Sequence, residues 1–267
     1  MRNQLRTLIA AWKGTEYSKL QAADHRGWAY DRLTVQLSSA TDYTVIGGPY
    51  RGMRYFGEPR IPIIDKSPTS KLIGSFEEEL HPWIERFIER GFRDVVFIGG
   101  GEGYHAVGMA KRMERTRFVV FDTLISARQA CKQLAEQNGV KNRVQLRGFC
   151  GAEAFLDLEL AGSLVVSDCG GAELTLLDPK LYPALRTATL LVETHDAFDP
   201  RISPRLIAKF KQSHQVEWVG ATQRDPAKYM LPGNMSTDQV TMALDEQRKL
   251  TRDGKPQTWA LFSPYSS

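Results

Sequence analysis

From residue 94 onward the chain alternates short apolar stretches with amphipathic ones, and few folds accommodate that pattern. "DVVFI", "RFVVFD", "RVQLRGF", "SLVVSD" and "ATLLVETHD" read as buried strands, with "HQVEWVG" and "TWALFS" closing the series. Helical segments stand between and around them: "GYHAVGMAKRM", "SPRLIAKFKQS", "STDQVTMALDEQRKL", and "SARQACKQLAEQN" with Ala127, Ala130, Cys131 and Leu134 on one side. Such alternation predicts a parallel, doubly wound sheet, and right-handed crossovers then place helices on both of its faces. The 267 residues suffice for one large α/β domain, or for one domain with a small extension.

Upstream the pattern is different. "NQLRTLIAAW" and "AYDRLTVQLSSA" carry helical spacing. "DYTVIGGPYRGMRYFGEP" holds two β-rich runs around Gly47, Gly48 and Pro49, as a hairpin or an extended loop, and "RIPIIDKSPTS" is irregular. "SFEEELHPWIERFIERG" predicts a helix with Ser75 as N-cap, Glu78 completing a capping box, and Gly91 at its end.

Charge and cysteine usage narrow the functional classes. The net charge is +4 without a dense Lys/Arg block, and "RKLTRDGK" at 248–255 includes an acid, so a solvated face is favoured over a nucleic-acid site. Cys131, Cys150 and Cys169 are odd in number, far apart and without C-x-x-C spacing, which argues against a disulfide framework and a zinc site and for a reducing compartment. The apolar part of "MRNQLRTLIAAWKG" is too short and broken for a signal peptide, and no run reaches the roughly 20 residues that span a bilayer. The expectation is a cytoplasmic protein without a membrane partner.

The loop after the first strand carries Gly99, Gly100, Gly101 and Gly103. In open α/β sheets ligands bind beyond the carboxyl ends of the strands, where this loop lies. The dinucleotide pattern G-x-G-x-x-G fails. Counted from Gly99 it meets Tyr104 at its last glycine, and counted from Gly100 it meets Glu102 at its second. G-x-G-x-G holds at 99, 101 and 103, a tighter form suited to S-adenosylmethionine, which needs no pyrophosphate cradle. Asp122 follows the second strand, where a carboxylate accepts hydrogen bonds from both ribose hydroxyls. Taken singly, the loop could be a tight turn and Asp122 a solvated helix cap. Together they favour a nucleoside-containing ligand.

With these residues in view the chain resembles class I S-adenosylmethionine-dependent methyltransferases, and more narrowly the FkbM-like group, which methylates hydroxyls of sugars and other small molecules. "GPYRGMRY", "SPTSKLIGSFEEELHP", "GGGEGYHAVGMA", "FVVFDT", "SDCGGAELTLLDP" and "LLVETHD" carry the resemblance, over residues 45–265. It implies a Rossmann-like seven-stranded sheet with an antiparallel last strand, at residues 91–267, and an extension at 1–90 capping the site. It implies S-adenosylmethionine as cofactor, held by Gly99, Gly101, Glu102, Gly103 and Tyr104 in the loop. Asp122 and Thr123, Phe149 and Cys150, and Asp168 would complete that set from the ends of the next three strands.

Two positions depart from the group. Phe97 stands where an acid near the end of the first strand normally helps to hold the methionine end of the cofactor. Losing such a bond to a charged group costs about 1.5–3 kcal/mol, or about ten- to a hundredfold in affinity. Gly170 replaces the acid of Asp-x-Glu-Gly after the fourth strand. Both changes also suit a binding or scaffold protein that kept the fold and lost catalysis.

Methyl transfer to a hydroxyl needs an aligned acceptor and a group that takes its proton. "ETHD" ends the fifth strand beside Asp168, and alternation puts Glu193 and His195 on one side of it. His195 is the base candidate, because its pKa lies near working pH, with Asp168 or Asp196 to orient it. The bland alternative is a histidine bonded to a nearby backbone carbonyl. Asp168, Glu193 and His195 could also be read as ligands of a divalent metal, making a metal-dependent enzyme the further alternative. The favoured reading is O-methylation of a small hydroxylated acceptor without a metal, with a homo-oligomer left open.

Overall fold

All seven strands form in the computed structural model, which describes residues 32–55, 67–246, 254 and 257–265. They are β1 (Asp94–Ile98), β2 (Arg117–Phe121), β3 (Val144–Arg147), β4 (Leu164–Ser167), β5 (Thr189–Thr194), β6 (His214–Gly220) and β7 (Thr258–Pro264). Their order in the sheet is β3-β2-β1-β4-β5-β7-β6. β1 to β5 pair in parallel, and β7 runs antiparallel to both β5 and β6. This is the Rossmann-like methyltransferase sheet. Every residue of β1, β4 and β5 is buried, as central strands covered on both faces require, whereas the edge strands β3 and β6 are mostly half-exposed or exposed.

Side-chain alternation sorts the sheet into two cores. Val95, Phe97, Phe118, Val120, Val166, Leu191 and Trp259 face one way. They meet α1 (32–40), α3 (His81–Arg90), α4 (Tyr104–Arg112), α5 (Ile125–Gln137) and α9 (Thr237–Leu244), with α2 (Pro68–Ile73) packed among them. Val96, Ile98, Val119, Phe121, Val165 and Val192 face the other way, toward α6 (Ala152–Leu156) and α8 (Ile202–Phe210), with α7 (Glu173–Leu176) at its upper edge. α5 buries Ala127, Ala130, Cys131 and Leu134 as its spacing predicts, and Gly139, at φ 70°, follows its end.

The amino-terminal region departs from expectation in one respect. Ser75 and Glu78 form no capping box. Glu77 takes a left-handed φ of 50°, which stops a helix from running through it, and α3 starts only at His81 after a single 3-10 turn. The Ser75 hydroxyl donates to the Ser70 carbonyl instead. The two β-rich runs reduce to a single antiparallel bridge, Thr44 to Arg54. The helix expected over "NQLRTLIAAW" lies outside the described residues. Among the described residues, no helix is long and apolar enough to cross a membrane.

Candidate active site

β1 lies between β2 and β4, so the connections leaving β1 and β4 diverge and open a crevice at the carboxyl end of the sheet. The glycine loop forms its floor. The Gly99 and Gly100 N–H groups both donate to the Phe121 carbonyl, at 2.9 and 3.0 Å. Gly99 has a φ of 81°, and a Cβ there would come within 1.7 Å of the Asp168 carbonyl oxygen. Only glycine lets the loop pass so close to β4. The cleft above it measures about 300 Å3, at the lower end for small-molecule sites, with Ile98, Phe121, Phe149 and Leu176 as apolar walls. A larger hollow of about 680 Å3 lies beyond the amino ends of β5 and β6, lined by Lys180, Arg186 and Arg205. It shares no residue with the glycine loop.

Six of the residues expected to bind cofactor line the cleft: Gly99, Asp122, Thr123, Phe149, Cys150 and Asp168. Asp122 does not cap a helix. One carboxylate oxygen accepts from the Gly101 N–H at 2.9 Å and the other from the Leu124 N–H at 2.8 Å. It thereby ties the glycine loop to the end of β2. Gly101 and Gly103 shape the loop through left-handed backbone, at φ 55° and 92°.

Glu102 and Tyr104 do not enter the cleft with their side chains. Glu102 is buried on the opposite side, 2.5 Å from Lys71 Nζ, and accepts from the Tyr55 hydroxyl at 3.1 Å. The Tyr104 hydroxyl donates to the Lys71 carbonyl, and its ring meets Tyr50, Tyr55 and Phe76 edge-on. Both residues fasten the amino-terminal segment to the start of α4. His105 belongs to the same fastening: its Nε2 donates to Glu77 at 2.7 Å and its Nδ1 accepts from the Tyr50 hydroxyl at 3.0 Å. No described residue of 1–90 lines the cleft. Phe97 is likewise turned away. It shares a face of β1 with Val95 and packs near Tyr50, Leu191 and Trp259, so the departure from an acid alters the core rather than the cleft wall.

At the carboxyl ends of β4 and β5 four ionisable side chains converge. His195 Nε2 stands 3.4 Å from Asp168 Oδ1 and 3.4 Å from Glu193 Oε2. Its Nδ1 donates to Glu173 Oε1 at 2.7 Å. The His195, Glu193 and Glu173 side chains are buried, while Asp168 is 47% exposed and borders the cleft. Burial disfavours the charged imidazole, but the hydrogen bond and charge of Glu173, with Asp168, outweigh it and raise the His195 pKa. Burial likewise pushes Glu173 up, and its bond to His195 more than reverses this, leaving it below the usual carboxylate value.

Glu173 is the residue that sequence reasoning missed. Gly170 and Gly171, at φ 65° and 106°, turn the chain back after β4, and the Gly171 N–H donates to Glu173 Oε1. A carboxylate therefore re-enters the site three residues after the acid that Gly170 lacks. Asp196, expected as a possible orienting group, instead accepts from the Ser203 N–H and hydroxyl at the start of α8.

Sheet order, glycine loop and the acid after β2 together define a Rossmann-like methyltransferase architecture. No protein-family model and no curated protein matches the chain. Solved structures align with it over most of its length. An O-methyltransferase from Bacillus cereus in complex with SAH shares 13% identity at a TM-score of 0.46, covering 76% of this chain and 84% of its own. The O-methyltransferase TomG from Streptomyces achromogenes, involved in tomaymycin synthesis and in complex with SAM, shares 13% at 0.43, covering 85% and 88%. A putative rRNA-methylase from Clostridium thermocellum shares 12% at 0.49, covering 71% and 96%. At these values the fold rests on the sheet order and the function on the site.

Proposed function

We propose that the chain is an S-adenosylmethionine-dependent O-methyltransferase of the FkbM-like kind, acting in the cytoplasm on a hydroxyl of a small molecule such as a sugar or a glycosylated natural product. One observation carries the reading: Asp168 belongs both to the cleft and to the imidazole–carboxylate cluster. A nucleoside-sized cleft thus opens directly onto groups able to take a proton.

The residues present fit the cofactor. Gly99 keeps side chains out of the floor, and Phe149, exposed at 75%, offers a flat apolar face. Asp122 uses one lone pair of each oxygen on backbone N–H groups, and a carboxylate has about four acceptor sites, so capacity remains for ribose hydroxyls. S-adenosylmethionine, when bound, supplies an electrophilic methyl group on sulfur. Asp122 and the loop fix its position. Glu173 holds the His195 ring by Nδ1, and Nε2 receives the acceptor's hydroxyl proton, with Asp168 and Glu193 stabilising the imidazolium. The scaffold alternative loses support, since Phe97 lies outside the cleft and Glu173 brings a carboxylate back.

The test is transfer of a labelled methyl group to a panel of hydroxylated small molecules. Wild type methylates at least one acceptor, and His195→Ala slows it by about a hundred- to ten-thousandfold. Cofactor binding without transfer to any acceptor would favour the scaffold instead.

A further inference from the structure

We propose that the hollow beyond the amino ends of β5 and β6 binds a small molecule carrying two or more linked phosphate groups. It lies at the opposite end of the sheet from the cleft, and it does not depend on the function proposed above.

Three separate parts of the chain build it. Asp178 and Lys180 follow α7, and Arg186 lies in the 3-10 turn Pro183–Thr187 that leads into β5. Arg205 and Lys209 come from α8, with Lys211 just after its end. Four residues apart, Arg205 and Lys209 share one face of that helix. Tyr265 braces the turn between α8 and β6: its N–H donates to the Ser213 carbonyl at 2.9 Å and its hydroxyl to the Lys211 carbonyl at 3.3 Å. At about 680 Å3 the hollow has more than twice the volume of the cleft, and it falls within the range of small-molecule sites.

Charge gives the class of ligand. Five cations and one acid line the hollow, a surplus of four positive charges. The formal net charge of the whole chain is also +4, so all other residues together sum to zero. The acid is already engaged: Asp178 pairs with Lys209 Nζ at 2.9 Å, which also donates to the Leu174 carbonyl. Among the described residues, no carboxylate stands within ion-pair distance of Lys180, Arg186, Arg205 or Lys211. Asp199, whose carboxyl senses the charge of Arg205, is held by two hydrogen bonds from the Arg201 guanidinium. Surface arginines elsewhere are matched, as Arg86 is by Glu217 and Arg112 by Glu85.

Four unmatched cations around one concavity repel one another, which disfavours the compact state, and a bound polyanion removes that repulsion. A monovalent anion leaves most of the surplus standing. Two or three linked phosphates meet several cations at once. Arg186 and Arg205 supply planar forks that hold phosphate oxygens in pairs, and Lys180 and Lys211 act as point charges. No residue of the hollow lines the cleft, so its occupant and the cofactor bind together rather than in competition.

The experiment titrates the full chain calorimetrically with inorganic phosphate, pyrophosphate and tripolyphosphate, at ionic strengths of about 0.05 and about 0.5 M. The expected result is one tripolyphosphate per chain, with affinity rising along that series and falling at the higher salt. Arg186→Gln and Arg205→Gln, at exposed positions, should each weaken tripolyphosphate binding by about tenfold. Lys111→Gln/Lys132→Gln, which removes the same charge as both arginine changes together from exposed positions on α4 and α5, should leave it intact. Absence of heat with millimolar tripolyphosphate at the lower salt overturns the site. An equal loss in the lysine pair does so too, by reducing the binding to the field of the whole molecule. Displacement of tripolyphosphate by S-adenosylhomocysteine would put the anion in the cleft and refute a separate site. Vesicles of phosphatidylcholine with phosphatidylinositol bisphosphate form the last arm: uptake on them without binding of soluble tripolyphosphate would make the hollow a membrane-facing patch and overturn the proposal.

Discussion

Replacing Lys71 or Glu102 distinguishes a structural role for the glycine loop's acid from a role in binding. The Glu102 carboxylate is buried and 2.5 Å from Lys71 Nζ, whose ammonium also lies 4.4 Å from the centre of the Phe76 ring. Lys71→Met removes the cation and leaves a carboxylate in surroundings too poor in water to solvate it. Breaking a buried pair from one side costs about 3–5 kcal/mol. In a domain of this size each kcal/mol moves Tm by roughly 2–4 °C, so a fall of roughly 6–20 °C follows. Glu102→Gln preserves shape and an acceptor for Tyr55 but takes the opposite charge away from the buried ammonium, and it destabilises in the same direction. The double variant Lys71→Met/Glu102→Leu, which leaves neither charge behind, recovers most of the loss. Thermal and urea unfolding of the four proteins, followed by far-ultraviolet circular dichroism, closes the double-mutant cycle. Calorimetry with S-adenosylhomocysteine below all the transitions completes it and should show unchanged affinity in Glu102→Gln. If Glu102→Gln melts with wild type but binds the ligand more weakly, the acid serves the cleft after all and the reasoning fails.

Three further outcomes follow from the same structure. Gly99→Ala meets both a left-handed φ and the Asp168 carbonyl at 1.7 Å, and should cost about 2–5 kcal/mol in chemical unfolding. Gly101→Ala, with φ 55° and open space around its Cβ, should cost only about 1–2 kcal/mol, and equal losses would contradict the crowding argument. His214 is buried, with Nε2 donating to the Ala188 carbonyl, and burial lowers its pKa from 6.5. The unfolded chain therefore binds this proton first, so its contribution to stability is present above pH 6.5 and is lost as pH falls from there through the folded-state pKa. His214→Asn should flatten the fall of urea midpoint on acidification, and an unchanged slope would remove His214 as a cause.

The parts of the fold that rest on local periodicity were legible beforehand. Seven apolar stretches at strand length and the buried stripe of α5 needed nothing beyond spacing. The orientation of Phe97 was not legible, because β1 is apolar on both faces and its pattern does not say which face meets the cleft. Ser75 and Glu78 carry the right letters at the right separation for a capping box, but the left-handed backbone at Glu77 is set by tertiary contacts. Glu102 and Lys71 are partners across 31 positions, which no local pattern links. Asp122, Asp168, Glu193 and His195 stand out in the sequence because strand ends are where such sheets place chemistry, and the fold brings the last three together. Glu173 does not, because its approach to His195 depends on the turn at Gly170 and Gly171. Two adjacent glycines after the fourth strand, Gly170 and Gly171, are the available signal, and their left-handed backbone is what the letters alone do not show.

Titration of the purified chain with S-adenosylmethionine and S-adenosylhomocysteine tests the central claim most directly. The cleft, the glycine loop and Asp122 predict one molecule bound per chain. Asp122→Ala, which removes the proposed ribose acceptor and releases the Gly101 and Leu124 N–H groups, should weaken binding by about ten- to a hundredfold. A folded wild-type protein that gives neither heat nor a thermal shift at millimolar cofactor or product would contradict the account.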